Sequence, residues 1–247
     1  MIPEIKTNFS PNFDLKKRKK TNIYFIIFHY TGMKNEKEAI NRLTSSKSKV
    51  SSHYFIKKNG EILNLVPDLY TAWHAGVSSW GNYRSLNKYS IGIEISNPGH
   101  NFIYNKFKKK QIYSIYKLSK LLQKKYKIKK NHILGHSDIA PERKKDPGEK
   151  FPWEYLSKKK IGYWHNLNKR NLFKNRKVNV SKREKESFIR NIHKIGYPKN
   201  NKIKKNKYQK IITEAFQRRF RQELVNGVID NECLKISKNL LKNNLFS

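Results

Sequence analysis

The side chains best suited to chemistry gather in Gly135-His136-Ser137-Asp138-Ile139-Ala140-Pro141-Glu142-Arg143-Lys144-Lys145-Asp146-Pro147-Gly148, where an imidazole, carboxylates and cations lie between turn-forming residues. Metal binding and proton transfer use these side-chain types, and loops that carry function usually hang on the ends of rigid elements. The apolar pair Ile133-Leu134 supplies such an end. The other half of the site is expected at the end of Ile23-Tyr24-Phe25-Ile26-Ile27-Phe28, the most apolar strand-like run, which leads straight into His29. His29, His136 and Asp146 offer two nitrogens and one oxygen. A catalytic zinc commonly takes three protein ligands and keeps a fourth position for water. Their wide separation in the chain leaves the ordinary alternative open, that these histidines only hydrogen-bond in the core or at the surface, as stray residues such as His132 and His165 do.

Positioning groups so far apart requires a sheet. Residues 23–28 read as a central strand covered on both faces, since the run is apolar throughout rather than alternating. Ala39, Ile40 and Leu43 among charged neighbours suggest a short amphipathic helix. His53–Lys57 and Glu61–Val66 flank Lys58-Asn59-Gly60, and an Asn-Gly between two β-prone runs is a strong hairpin signal. Ile91-Gly92-Ile93-Glu94-Ile95 reads as a further strand, Gly92 permitting close approach of a neighbour. Between Lys106 and Lys125 the apolar residues Ile112, Ile115, Tyr116, Leu118, Leu121 and Leu122 recur at helical spacing, which predicts a long helix lying on the sheet. The mixed order of elements indicates an α/β or α+β layer fold around a mixed sheet. Residues 1–20 read as an extended arm of a first domain spanning 1–165. Residues 166–183 lose periodicity and read as a linker. Residues 184–247 then show three helical patterns, 185–194, 207–220 and 230–242, separated by Gly196-Tyr197-Pro198 and Asn226-Gly227, as in a small three-helix domain.

Composition bounds the rest. The chain of 247 residues can bury a real core, and its formal charge of +37 points to an anionic partner such as nucleic acid, lipid or a wall polymer, or else to a biased genome composition, since the lysines are spread from end to end. Cys233 is the one cysteine, so an intrachain disulfide and a thiolate metal cluster are both excluded. The N-terminus lacks the apolar stretch of a cleavable signal, which favours a cytoplasmic location over the periplasm or envelope, and no run approaches the roughly 18 apolar residues that would span a bilayer. No nucleic-acid-binding motif is present, and a monomer is expected.

Five blocks carry a resemblance to a known family: Phe28-His29-Tyr30-Thr31-Gly32, Val50-Ser51-Ser52-His53-Tyr54-Phe55-Ile56, Trp73-His74-Ala75-Gly76, Ser90-Ile91-Gly92-Ile93-Glu94, and Gly135-His136-Ser137-Asp138-Ile139-Ala140-Pro141 through Lys144 to Asp146-Pro147-Gly148. In this order they resemble the zinc-dependent N-acetylmuramoyl-L-alanine amidases, which share their fold with peptidoglycan recognition proteins and T7-type lysozymes. The resemblance covers roughly residues 8–165. It implies one zinc ion per chain on His29, His136 and Asp146, with Glu94 as the acidic residue that takes a proton from water and Lys144 as the cation beside the oxyanion. It further implies hydrolysis of the amide between N-acetylmuramic acid and L-alanine in peptidoglycan or muropeptides, with a non-catalytic muropeptide-recognition protein of the same fold as the alternative. His74 and Trp73 are expected to touch substrate, and His53 to serve the structure. Ile212–Phe220 and Asn226–Asp230 are similar to three-helix peptidoglycan-binding domains, whose role is to raise the local concentration of polymer.

Overall fold

The computed structural model of the protein describes residues 3–244, so the outermost residues of the expected arm and C-terminal unit, 1–2 and 245–247, lie outside the described residues. The strands are β1 (Ile5–Thr7), β2 (Phe13–Asp14), β3 (Phe25–Tyr30), β4 (Tyr54–Ile56), β5 (Ile62–Asn64), β6 (Thr71–Ala72), β7 (Ser79–Trp80), β8 (Tyr83–Arg84), β9 (Ser90–Ile95) and β10 (Ile133–Gly135). The helices are α1 (Glu36–Thr44), α2 (Lys109–Tyr126), α3 (His136–Ile139), α4 (Trp153–Lys158), α5 (Lys169–Phe173), α6 (Lys182–Ile195), α7 (Lys205–Phe220) and α8 (Asn231–Asn244).

Six strands form one mixed sheet in the order β1-β5-β4-β9-β3-β10. β4, β9, β3 and β10 run parallel, while β4 and β5 form the antiparallel hairpin expected around Lys58-Asn59-Gly60, with Gly60 at positive φ. The arm contributes an edge strand, β1, parallel to β5. β3 extends two residues further than its apolar run, because the backbones of His29 and Tyr30 pair with Glu94 and Ile95 of β9.

Side chains alternate across a strand, so β3 serves two cores at once. Ile26 and Phe28, with Ile91, Ile93 and Ile95, face the α2 residues Ile115, Leu118 and Leu122 and the side chains of Phe151, Trp153 and Leu156. Phe25, Ile27 and Leu134 face the other way, into a cluster completed by Phe188 and Ile192 of α6 and Phe216 and Phe220 of α7. On that same side, Phe55 and Leu63 pack on Ala39 and Leu43 of α1. Burying each such side chain contributes about 1.5–3 kcal/mol. His29 shares the face of Phe25 and Ile27, so strand alternation sends it into the gap between the α1 cluster and the C-terminal helices.

The C-terminal helices form where their periodicity places them. Ser181 and Glu184 form a reciprocal capping box at the start of α6, and Gly196 at positive φ ends it. Segment 166–183 carries α5 with Leu172 buried, and its Asn175 and Val178 carbonyls accept the first amides of α8. Among the described residues, no helix is long and apolar enough to cross a membrane.

Candidate metal centre

Three elements end at one point. β3 delivers His29 at its penultimate position, the turn after β10 delivers His136 as the first residue of α3, and the following loop returns Asp146 to the same place. This is the carboxyl end of adjacent parallel strands, where open sheets with helices on both faces place their ligands. The loop is closed on itself by the Ser137 amide, which donates to the Asp146 carbonyl at 2.8 Å.

His29 Nδ1 lies 2.9 Å from His136 Nδ1 and 3.1 Å from Asp146 Oδ2, and His136 Nδ1 lies 3.0 Å from the same oxygen. The far sides of both rings fix their tautomers. His136 Nε2 is 3.1 Å from the Ala75 carbonyl, which can only accept, so the proton sits on Nε2 and the Nδ1 lone pair points inward. For His29 a relay does the same. Ser90 Oγ donates to the Leu86 carbonyl at 2.6 Å, so it accepts from His74 Nε2 at 3.1 Å, which leaves His74 Nδ1 to accept from His29 Nε2 at 3.0 Å. Burial, followed by the neighbouring His136, lowers His29 to about 4, so the ring is neutral at neutral pH and its contact with Asp146 is not an ion pair. Burial would raise Asp146, and positive charge at this point, supplied by His136 and His29 only when they are protonated, would hold the carboxyl well below the usual carboxylate range.

Three electron-rich atoms therefore face one another at about 3 Å, an arrangement that repels unless a cation lies between them. Zinc–nitrogen and zinc–oxygen bonds of about 2.0–2.2 Å give tetrahedral ligand–ligand edges of about 3.3 Å, close to the spacing seen here. The donor set fits a divalent metal, and imidazole with carboxylate suits zinc.

Glu94 stands beside His29 in the parallel register and faces the same side. Its Oε2 is shielded from solvent and, among the described residues, has no hydrogen-bond partner. Burial and then the charge of Asp146 push this carboxyl up to about 8, against the opposing pull of Lys144. Both line a cleft of about 470 Å³ together with Tyr30, Trp73, Arg42 and Arg143. Trp73 is half-buried there, its indole N–H donating to Asp14 at 2.8 Å.

His74, expected at the substrate groove, also borders the cleft, but both of its ring nitrogens are engaged inside the fold by His29 and Ser90. The role its geometry supports is orientation of His29. Gly92 makes room for it: a Cβ there would lie 2.4 Å from His74 Cγ. His53 accepts the Gly92 amide on Nδ1 at 3.0 Å and binds the loop at the Tyr70 carbonyl, as a structural residue does. Two further residues support the ligands, although neither their type nor their spacing assigns them that role. Ser90 sets the relay, and Arg143 donates to the carbonyls of Ala75 and Val77, so that the acceptor of the His136 proton is itself held in place.

A profile of the N-acetylmuramoyl-L-alanine amidase family matches residues 19–149. Over 232 residues the chain is 32% identical to the N-acetylmuramoyl-L-alanine amidase AmiD of Escherichia coli (strain K12), spanning 89% of this chain and 83% of AmiD. The structure of AmiD in complex with the substrate anhydro-N-acetylmuramic acid-L-Ala-D-gamma-Glu-L-Lys matches with a TM-score of 0.80 at 32% identity, over 90% of each chain. That of AmpDH3 from Pseudomonas aeruginosa, in complex with anhydromuramic pentapeptide, matches with a TM-score of 0.80 at 27% identity, over 95% of this chain and 97% of AmpDH3. Such coverage takes in the C-terminal helices along with the sheet. On a profile match to more than half of its length and a likeness to AmiD that runs through nearly all of it, this chain belongs to the N-acetylmuramoyl-L-alanine amidase family.

Proposed function

We propose that this amidase works with one zinc ion held by His29 Nδ1, His136 Nδ1 and Asp146 Oδ2, with Glu94 as general base and Lys144 as the cation that stabilises the oxyanion. The observation that carries the reading is the convergence of three proton-free donor atoms beside a carboxylate oxygen that no group among the described residues satisfies. When bound, zinc supplies a Lewis acid and a water whose pKa falls to about 7. His74 and the Ala75 carbonyl hold the two imidazoles in the tautomers that such a cation needs. A bound cation's charge would draw the Glu94 carboxyl down to its ionised form, in which it takes the proton of the attacking water and passes it to the departing amine of L-alanine, a poor leaving group until protonated. Lys144 places its ammonium where negative charge grows on the amide oxygen.

The substrate class follows from the same cleft. Arg42, Arg143, Lys144 and Lys145 line it, a positive wall that attracts peptides bearing free carboxylates. Muropeptides of the kind bound by AmiD and AmpDH3 have that character. Product analysis on an anhydro-muropeptide beside whole sacculi, with zinc measured on the same sample, tests the proposal. Release of intact stem peptide with about one zinc per chain is expected; cleavage at another bond, or activity in a zinc-free sample, overturns it. Lys144→Met is expected to lower kcat by about 10²–10³-fold, the size seen when one oxyanion contact is lost, with zinc content unchanged. Steady-state kinetics on the muropeptide check it.

A further inference from the structure

We infer that the C-terminal helices are part of the metal centre's support, with Arg219, Tyr197 and Gln222 acting as positioning residues for the loop that carries His136 and Asp146. The inference rests on the reading of those two residues as metal ligands. A targeting module needs only a tether to its enzyme. Here the contacts are placed otherwise: they grip the metal loop at its start, middle and end.

At the start, Asp138 lies two residues after His136. Its Oδ2 accepts the Gly135 amide at 2.8 Å and Arg219 Nη1 at 2.5 Å, and its Oδ1 accepts the Tyr197 hydroxyl at 2.8 Å. Arg219 Nη2 also donates to the Ile133 carbonyl at 2.8 Å, on the strand that feeds the loop. Asp138, Arg219 and Tyr197 are 0%, 1% and 2% exposed, and the guanidinium lies over the Trp153 ring at 4.2 Å from its centroid. In the middle, Asn200 donates to Glu142 at 2.7 Å. At the end, Gln222 Nε2 donates to the carbonyls of Glu149 and Phe151, both at 2.7 Å, just past Asp146. The same unit reaches the loop that carries His74 and Ala75: the Gly196 carbonyl accepts the Gly81 amide at 2.7 Å, and Tyr197 packs on Trp80.

An ion pair this dry contributes little net stability compared with apolar side chains of the same volume, because desolvation offsets its attraction. What it fixes is geometry, since the forked guanidinium ties Asp138 to the strand end in a single arrangement. Metal ligands depend on such outer partners, whose loss typically weakens affinity by about 10–100-fold. Arg219, Tyr197 and Gln222 do not line the cleft, so their effect has to pass through the ligands.

The test uses the full chain with Arg219→Met, Tyr197→Phe and Gln222→Ala. Zinc affinity is measured by competition with a chromophoric chelator, and the ligand field by the visible spectrum of the cobalt(II)-loaded protein. Melting temperature and the separate values of kcat and KM on a muropeptide are recorded alongside. Weakening of zinc by about 10–100-fold in Arg219→Met, a smaller loss in the other two, a shifted cobalt spectrum, and a lower kcat at nearly constant KM are expected. If Arg219→Met fails to fold, the other two still decide, since each removes only one or two hydrogen bonds. Wild-type zinc affinity and an unchanged cobalt spectrum in Tyr197→Phe and Gln222→Ala, whatever their melting temperatures, overturn the inference and leave the helices a purely stabilising part. A wild-type chain that binds no zinc overturns the ligand reading itself, and this inference with it.

Discussion

Replacing His136 by alanine is expected to remove zinc and to lower muropeptide hydrolysis by about 10³-fold or more. A catalytic metal stabilises the transition state by several kcal/mol, and each 1.36 kcal/mol is about tenfold in rate. The substitution also removes one of the three converging ligand atoms and leaves Asp146 Oδ2 with His29 Nδ1 alone. Zinc content and turnover are read on one preparation, with the melting curve to show that the chain is folded. Excess chelator on the wild-type protein gives the same loss without any mutation, and zinc restores it. Hydrolysis that survives either treatment would sink the zinc mechanism.

Glu94→Gln keeps the shape of the side chain and removes its basicity. Activity is expected to fall by about 10²–10⁴-fold, the usual size of general acid–base catalysis, while zinc affinity stays within a few-fold of wild type. The two variants thus separate: one loses metal and rate, the other rate alone. Glu94 also bears on stability. Its carboxyl is raised from 4.5 to about 8 in the fold, so the folded state binds more protons than the unfolded one between those values, and the zinc-free protein loses stability as pH rises through that window. In Glu94→Gln this fall is absent. Chelator-treated wild type and variant melted from pH 5 to pH 9 show it, and parallel curves for the two count against the buried carboxyl.

Much of this arrangement could be read in the sequence, for physical reasons that differ by element. The apolar run before His29, the Asn59-Gly60 turn and the spacing of Ile115, Leu118 and Leu122 are local patterns, and each corresponds to an element of the sheet or to the helix on it. Periodicity likewise found α6, α7 and α8. His29, His136 and Asp146 stood out as residue types that bind metals, yet only the order of the five family blocks tied them together. Glu94 and Lys144 are ordinary charges by local criteria, and the resemblance alone singled them out. What stayed hidden depends on distant partners. The three residues of β1 show no pattern of their own and become a strand by pairing with β5. His74 is expected at the substrate groove and borders the cleft, but its hydrogen bonds to His29 and Ser90 come from residues distant in the sequence. Arg219 is one of 55 basic residues, and nothing nearby in the sequence announces that it is buried against Asp138.

The pairing of His29 with Glu94 across β3 and β9 decides where the chain tolerates a change of length. Side chains in a strand alternate with a period of two, so one residue inserted between Phe25 and His29 would turn the imidazole into the apolar layer of Ile26 and Phe28 and bring a hydrophobic side chain to the metal. The same insertion in β9 would exchange Glu94 for an isoleucine. Length variants in these two strands are therefore lethal to the chemistry even where the sheet still forms. The turn at Asn59-Gly60 lies outside the cleft lining, so lengthening it leaves the reacting groups in place, and a library of single-residue insertions read for activity would trace the outline of the reacting centre as a row of intolerant positions.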